Sequence, residues 1–115
     1  MLELSQINKI IKNKNVMFAK NNCPFCNASK SLFDKLVDLN CIDHYEILTL
    51  NRDIDDQTLT HLVATYGWQP DSNQHTCSKP QIFIQGEYIG GNFEFYNSKW
   101  NTGKDFPNIK NPMRF

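Results

Sequence analysis

Val16-Met17-Phe18-Ala19 is a continuous apolar run of four residues that breaks at Lys20-Asn21-Asn22 and is followed at once by Cys23-Pro24-Phe25-Cys26. A run of that kind reads as a strand buried on both faces, the pattern of a sheet packed between helices. Cys23 then falls at a helix-capping position, and Pro24 at the first helical position, where its missing N–H costs nothing. Phe25, Ala28, Leu32, Leu36 and Leu39 are expected along one face of the helix that follows. Strand, loop and helix are thus specified within about 25 residues, with two thiols at the junction.

The remaining elements extend the same alternation. Leu4, Ile7, Ile10 and Ile11 recur at helical spacing and predict a first helix ending at the turn Asn13-Lys14-Asn15. His44 to Leu50 reads as a second strand, and Asp53 to Tyr66 as a helix with Leu59, Leu62, Val63 and Tyr66 on one side. Gly67 to Lys79 lacks periodicity and reads as a loop longer than most connections in a compact domain. Gln81 to Ile84 and Tyr88-Ile89 form a hairpin around Gln85-Gly86-Glu87, and Gly90-Gly91 ends it. Phe93, Tyr96 and Trp100 suit a short helix, and the tail from about Thr102 to Phe115, broken by Gly103, Pro107 and Pro112, is expected to be irregular.

The 115 residues are expected to form a single domain spanning 1–115. Twelve acidic and 12 basic side chains balance, so no overall field favours nucleic acid or an anionic membrane. No apolar run approaches the roughly 20 residues that span a bilayer, and Met1 to Asn15 carries polar residues throughout in place of the apolar core of a signal peptide. A soluble, cytoplasmic protein is the expectation. In a reducing compartment four cysteines point to catalysis or metal binding before structural disulfides, and only Cys23 and Cys26 have C-x-x-C spacing.

The chemistry of that pair follows from its place. Unpaired N–H groups and the positive dipole end of the helix stabilise a thiolate on Cys23, which makes it the nucleophile. Cys26, one turn deeper and expected to be less exposed, can attack a mixed disulfide formed on Cys23 and so resolve it. Lys20 can add positive charge or meet an anionic substrate. The competing reading is structural zinc, with His75 and Cys77 completing a Cys3His set, although Pro24 fits a helix start better than a metal knuckle. Cys77, three residues before Pro80, reads as a spectator, with a place beside the redox pair as the alternative. Cys41 reads as a small buried hydrophobe. His44, His61 and His75 show no partner at diagnostic spacing, Trp68 and Phe93 suit either a substrate groove or packing, and Asp53, Asp55 and Asp56 read as a helix-start cluster.

Three separated segments together resemble the glutaredoxins of the thioredoxin superfamily: Lys20-Asn21-Asn22-Cys23-Pro24-Phe25-Cys26, Ser78-Lys79-Pro80-Gln81-Ile82-Phe83-Ile84, and Gly86-Glu87-Tyr88-Ile89-Gly90-Gly91. The resemblance covers about residues 15 to 93. It implies an α/β thioredoxin-like fold, a four-stranded mixed sheet flanked by helices. It also implies a glutathione-dependent thiol-disulfide oxidoreductase with a redox-active Cys23–Cys26 disulfide, acting on glutathione mixed disulfides and on protein disulfides. Ribonucleotide reductase is a substrate that the family often serves. No metal, nucleic acid or membrane partner is implied, and a monomer is expected.

Carried onto individual residues, the resemblance implies a cis peptide bond at Pro80 and a Lys79 backbone that pairs with the cysteinyl unit of glutathione. Gly91 and Asn92 fall where the family receives the γ-glutamyl carboxylate, Lys20 would reach the glycyl carboxylate, and Phe25 and Phe93 complete the glutathione-binding set. The residue that is commonly acidic after Gly91-x is Phe93 here, with Glu94 next. Ser78-Lys79 replaces the usual Thr-Val, which would bring a charge near the active site. Two further readings stay open on the sequence: a thioredoxin-like reductant served by a flavin reductase, and a metal or iron-sulfur carrier using Cys23 as ligand.

Overall fold

A computed structural model describes residues 1–70 and 74–101. The expected tail from about residue 102 lies outside them. The elements run α1 (Leu4–Ile11), β1 (Val16–Ala19), α2 (Pro24–Asp38), β2 (Glu46–Thr49), α3 (Asp56–Thr65), β3 (Gln81–Ile84), β4 (Glu87–Gly90) and α4 (Asn92–Tyr96). The strands form one mixed sheet in the order β2-β1-β3-β4: β1 is parallel to β2 and antiparallel to β3, and β3 is antiparallel to β4. This is an α/β thioredoxin-like fold with a four-stranded mixed sheet. Among the described residues no helix is long and apolar enough to cross a membrane.

Alternation along the buried strands divides the core between the two faces of the sheet. Val16, Phe18 and Phe83 pack with Ile7 and Ile11 of α1 and Leu59, Leu62 and Val63 of α3. Met17, Ala19, Ile82 and Ile84 pack with Leu32, Phe33 and Leu36 of α2 and Phe95 and Tyr96 of α4. Because side chains alternate with period two, a four-residue apolar strand serves both layers at once. The ring of Phe33 lies 4.7 Å from that of Tyr45 and 4.7 Å from that of Phe95, tying α2 to α4 beneath the cysteine pair. Phe33 and Phe95, both fully buried, each stabilise the fold by roughly 1.5–3 kcal/mol relative to exposure.

Several boundaries and faces differ from the sequence expectations. The buried stripe of α2 is Cys26, Ser29, Leu32, Phe33 and Leu36, whereas Phe25 and Leu39 are exposed. Capping at Cys23 turns the helix so that the second cysteine faces inward. The third helix begins at Asp56, not Asp53: Asp55 is its cap, accepting the Thr58 N–H at 2.8 Å, while Asp53 accepts the Thr49 N–H in the preceding turn. Tyr66 follows the helix and is 42% exposed. Cys41, expected inside, is exposed, because Asn40 reverses the chain at φ 60° and Ile42 takes the core position. The hairpin turn is Gln85-Gly86, both at positive φ, as a two-residue turn of this kind requires. Gly86 lies so close to Asn13 that a Cβ would stand 2.9 Å from the Asn13 nitrogen. Trp68 packs against the layer formed by α1 and α3.

Candidate active site

The end of β1 delivers the chain through Lys20 and Asn21 to Asn22, which adopts φ 54° and turns it into the helix. Asparagine tolerates that left-handed conformation better than most residues. Cys23 then caps α2 with an extended backbone, and its Sγ accepts the Cys26 N–H at 3.2 Å. That bond uses one of the N–H groups that a helix start leaves unpaired, so the sulfur sits where a developing negative charge is stabilised. Cys23 and Cys26 form a disulfide, their Cα atoms 5.2 Å apart. Contrary to expectation the two are equally enclosed, 4% exposed each, beneath an exposed Pro24 and a Phe25 that is 44% exposed. The ring between the thiols, rather than the depth of the second thiol, makes the outer surface of the motif. Lys20 is exposed.

Across from the pair, the Lys79–Pro80 peptide is cis, and the Lys79 carbonyl oxygen lies 3.8 Å from Cys23 Sγ, within reach of the thiol when the pair is reduced. Pro80 is buried. The Lys79 side chain departs from the expected charge beside the cysteines. It is 7% exposed and runs to α3, where Nζ stands 2.6 Å from Asp56 Oδ1 and also donates to the Cys77 carbonyl. The residue as a whole is only partly buried, so part of what it exposes is main chain.

The Gly-Gly corner meets this bend. A Cβ on Gly91 would stand 3.4 Å from the Pro80 carbonyl oxygen and 3.3 Å from Glu94 Oε1, which leaves little room for any side chain. Gly90 adopts φ 117°, and a Cβ there would strike the Glu94 side chain at 2.9 Å. The Glu94 carboxylate accepts the Gly91 N–H at 2.8 Å, capping α4. An acidic group therefore does stand at this helix start, one residue after Phe93, which is 56% exposed. Asn92, 6% exposed, turns its side chain away from solvent, and Oδ1 accepts the Ser29 hydroxyl of α2 at 2.7 Å. The Tyr96 hydroxyl donates to the Ala28 carbonyl at 2.9 Å, a second bond between the helices.

Cys77 is separated from the redox pair by the sheet. It belongs to the core on the side of α1 and α3, where its N–H donates to Thr60 Oγ1 at 3.0 Å. Burial pushes its thiol up from the usual value, against the Thr60 hydrogen bond and the nearby Lys79 charge. It cannot complete a Cys3His set with Cys23 and Cys26 from across the sheet. Among the described residues no three His, Cys, Asp or Glu side chains gather as metal ligands. Behind the bend the Tyr88 hydroxyl donates to Gln81 Oε1, and burial, with the Cys77 and Glu94 charges adding to it, pushes that phenol up to about 12.

Sequence does not single out Ser29 or Thr60, marks Asp56 only as part of a helix-start cluster, and marks Glu94 only as the neighbour of Phe93. Glu94 carries a readable signal, an acidic residue at the third position of a helix, where it can fold back onto the cap. Ser29 shows only as a polar residue within an apolar stripe. Asp56 and Thr60 share one face of α3, but nothing local announces their partners in residues 77 to 79.

No family model matches the chain. A glutaredoxin of Ricinus communis is 29% identical over 82 residues, which is 71% of this chain and 69% of the relative. Among solved structures, a buckwheat glutaredoxin-glutathione complex superimposes with a TM-score of 0.62 at 26% identity, covering 90% of this chain and 84% of the other. A dithiolic glutaredoxin of Trypanosoma brucei brucei superimposes with a TM-score of 0.60 at 21% identity, covering 92% and 95%. With its C-x-x-C disulfide at a helix start and facing a cis-proline bend, the chain is similar to the glutaredoxins in sequence and fold and carries the cysteine pair of a glutaredoxin-like thiol-disulfide oxidoreductase.

Proposed function

We propose that this protein is a glutaredoxin that reduces glutathione mixed disulfides and protein disulfides at the expense of glutathione, acting as a monomer. The thiolate of Cys23 attacks the glutathione-side sulfur of a mixed disulfide and expels the target thiol, leaving Cys23 bonded to glutathione. Cys26 then attacks the Cys23 sulfur and releases glutathione, so the pair becomes the disulfide. One glutathione thiolate opens that disulfide and a second removes the first as glutathione disulfide, which restores the dithiol. A protein disulfide enters by the same first step, with the protein taking the place of glutathione on Cys23.

The observation that carries this reading is the Lys79 carbonyl 3.8 Å from Cys23 Sγ, on a bend whose main chain is partly exposed while its side chain is withdrawn. Such a backbone pairs with an extended peptide as a strand edge does, and glutathione offers a cysteinyl unit of that form. Pro80 shapes the bend. The Gly91 N–H is engaged by Glu94, so Gly91 contributes its lack of a side chain, and the first-turn N–H groups of Asn92 and Phe93 receive the γ-glutamyl carboxylate. Glu94 takes the ammonium of the same unit. Lys20 meets the glycyl carboxylate, and Phe25 and Phe93 form an apolar rim.

Reduction of a glutathionylated peptide, coupled to glutathione reductase, tests the proposal. Cys23→Ser is expected to lose all turnover, whereas Cys26→Ser retains it, since a second glutathione can replace the internal thiol. Full turnover in Cys23→Ser, or turnover supported by thioredoxin reductase and not by glutathione, would refute it.

A further inference from the structure

We propose that the Asp56–Lys79 ion pair is a positioning device for substrate. It anchors the main chain before Pro80 at the distance from Cys23 at which an incoming disulfide is presented, and it takes the Lys79 charge out of the ionisation of Cys23. The proposal rests on the reading of Lys79 as the main-chain platform for glutathione.

Lysine rarely gives up water for its ammonium unless the charge is paired. Here the side chain is 7% exposed, with Nζ 2.6 Å from Asp56 Oδ1, an oxygen itself screened from solvent, and bonded as well to the Cys77 carbonyl. Removing Asp56 leaves the enclosed ammonium stranded in a poorly solvated place, whereas removing Lys79 leaves a carboxylate that is 40% exposed and frees the main chain from its anchor. A second tie lies one turn along α3, where Thr60 accepts the Cys77 N–H at 3.0 Å. From the other end Gln81 Nε2 donates to the Ser78 carbonyl at 2.8 Å. Residues 77, 78 and 79 are thus each held, and the main chain that bears the Lys79 carbonyl has no slack. With opposite charges in contact, the pair's field decays quickly with distance, so Cys23 feels little of either.

A purely structural ion pair would affect stability without separating binding from chemistry. A direct electrostatic role for Lys79 would instead move the ionisation of Cys23. Steady-state kinetics on the glutathionylated peptide are therefore paired with the pH dependence of Cys23 alkylation by iodoacetamide, in the full chain and in Asp56→Asn, Lys79→Met and the double variant. Each single substitution is expected to raise KM on the order of tenfold while kcat changes less than twofold, the signature of lost positioning. The double variant should be no worse than either single one, because residues that act as a pair are not additive. The midpoint of Cys23 alkylation should not move. The exchanged pair Asp56→Lys with Lys79→Asp should recover most of the KM.

An unchanged KM in active single variants, additive effects in the double variant, or a shifted alkylation midpoint in Lys79→Met would each overturn the positioning role while leaving glutathione-dependent activity standing. Absence of turnover in the unsubstituted chain would instead overturn the functional reading and this inference with it.

Discussion

The four cysteines occupy three environments, and their surroundings rank their reactivity. Cys23 and Cys26 are closed into a disulfide at a helix start, Cys41 is exposed at a chain reversal, and Cys77 is 2% exposed against Thr60. After reduction, brief alkylation at neutral pH should label Cys23 and Cys41, and peptide mass spectrometry should find Cys77 unlabelled until the chain is unfolded; early labelling of Cys77 would contradict its placement. The raised Cys77 pKa also has a direction in pH. A folded-state value above the unfolded one favours the neutral thiol in the fold, so this contribution is complete below the ordinary thiol pKa of about 8.5 and is lost as pH rises through the folded value. Urea unfolding between pH 8 and 10 should accordingly show a shallower decline in Cys77→Ala than in the parent. Spacing identified the reactive pair, because C-x-x-C with proline at a helix start is a local pattern. It did not distinguish Cys41 from Cys77, since burial is set by which elements cover a position.

At the scale of elements, α2 and α4 bring the nucleophile and the Gly-Gly corner together. They meet through Phe33 and Phe95, through the Tyr96 hydroxyl on the Ala28 carbonyl, and through Ser29 donating to Asn92. With Ser29 fully buried and Asn92 6% exposed, Ser29→Ala leaves Asn92 Oδ1 without that donor, at an expected cost of ~1–3 kcal/mol. Adding Asn92→Ala should cost less than the sum of the two single effects, because no buried acceptor is then stranded. Denaturant titrations of the three variants measure this, and strictly additive losses would deny the contact. The order of helices and strands was legible from apolar spacing and turn residues. The inward face of α2 was misread, because a stripe traced through apolar residues omits a serine whose partner lies 63 positions away.

For the whole molecule, β1 and β3 are the interior strands of a sheet covered on both faces, while β2 and β4 are its edges. Amide hydrogen exchange should therefore be slowest in Val16–Ala19 and Gln81–Ile84, where exposure requires opening both layers, and faster in Glu46–Thr49 and Glu87–Gly90. Equal protection across all four strands would argue against this division. The sheet also decides function by exclusion: Cys77 is near the bend in sequence yet stands behind it in space, and the Lys79 side chain leaves for α3 while its carbonyl stays beside Cys23.

The alternation of elements, the capping of α2 by Cys23, the turn at Gly86 and the family resemblance in three motifs are all legible in the residues alone, because each rests on neighbours within a few positions. It takes the folded chain to show that Lys79 points its charge at Asp56, that Glu94 supplies the carboxylate at the Gly91 corner, and that Ser29 reaches Asn92. The Lys79 and Ser29 contacts join residues on different elements, and even the short reach of Glu94 depends on where α4 begins. A side chain's direction is fixed by the packing of whole layers, which no local pattern encodes.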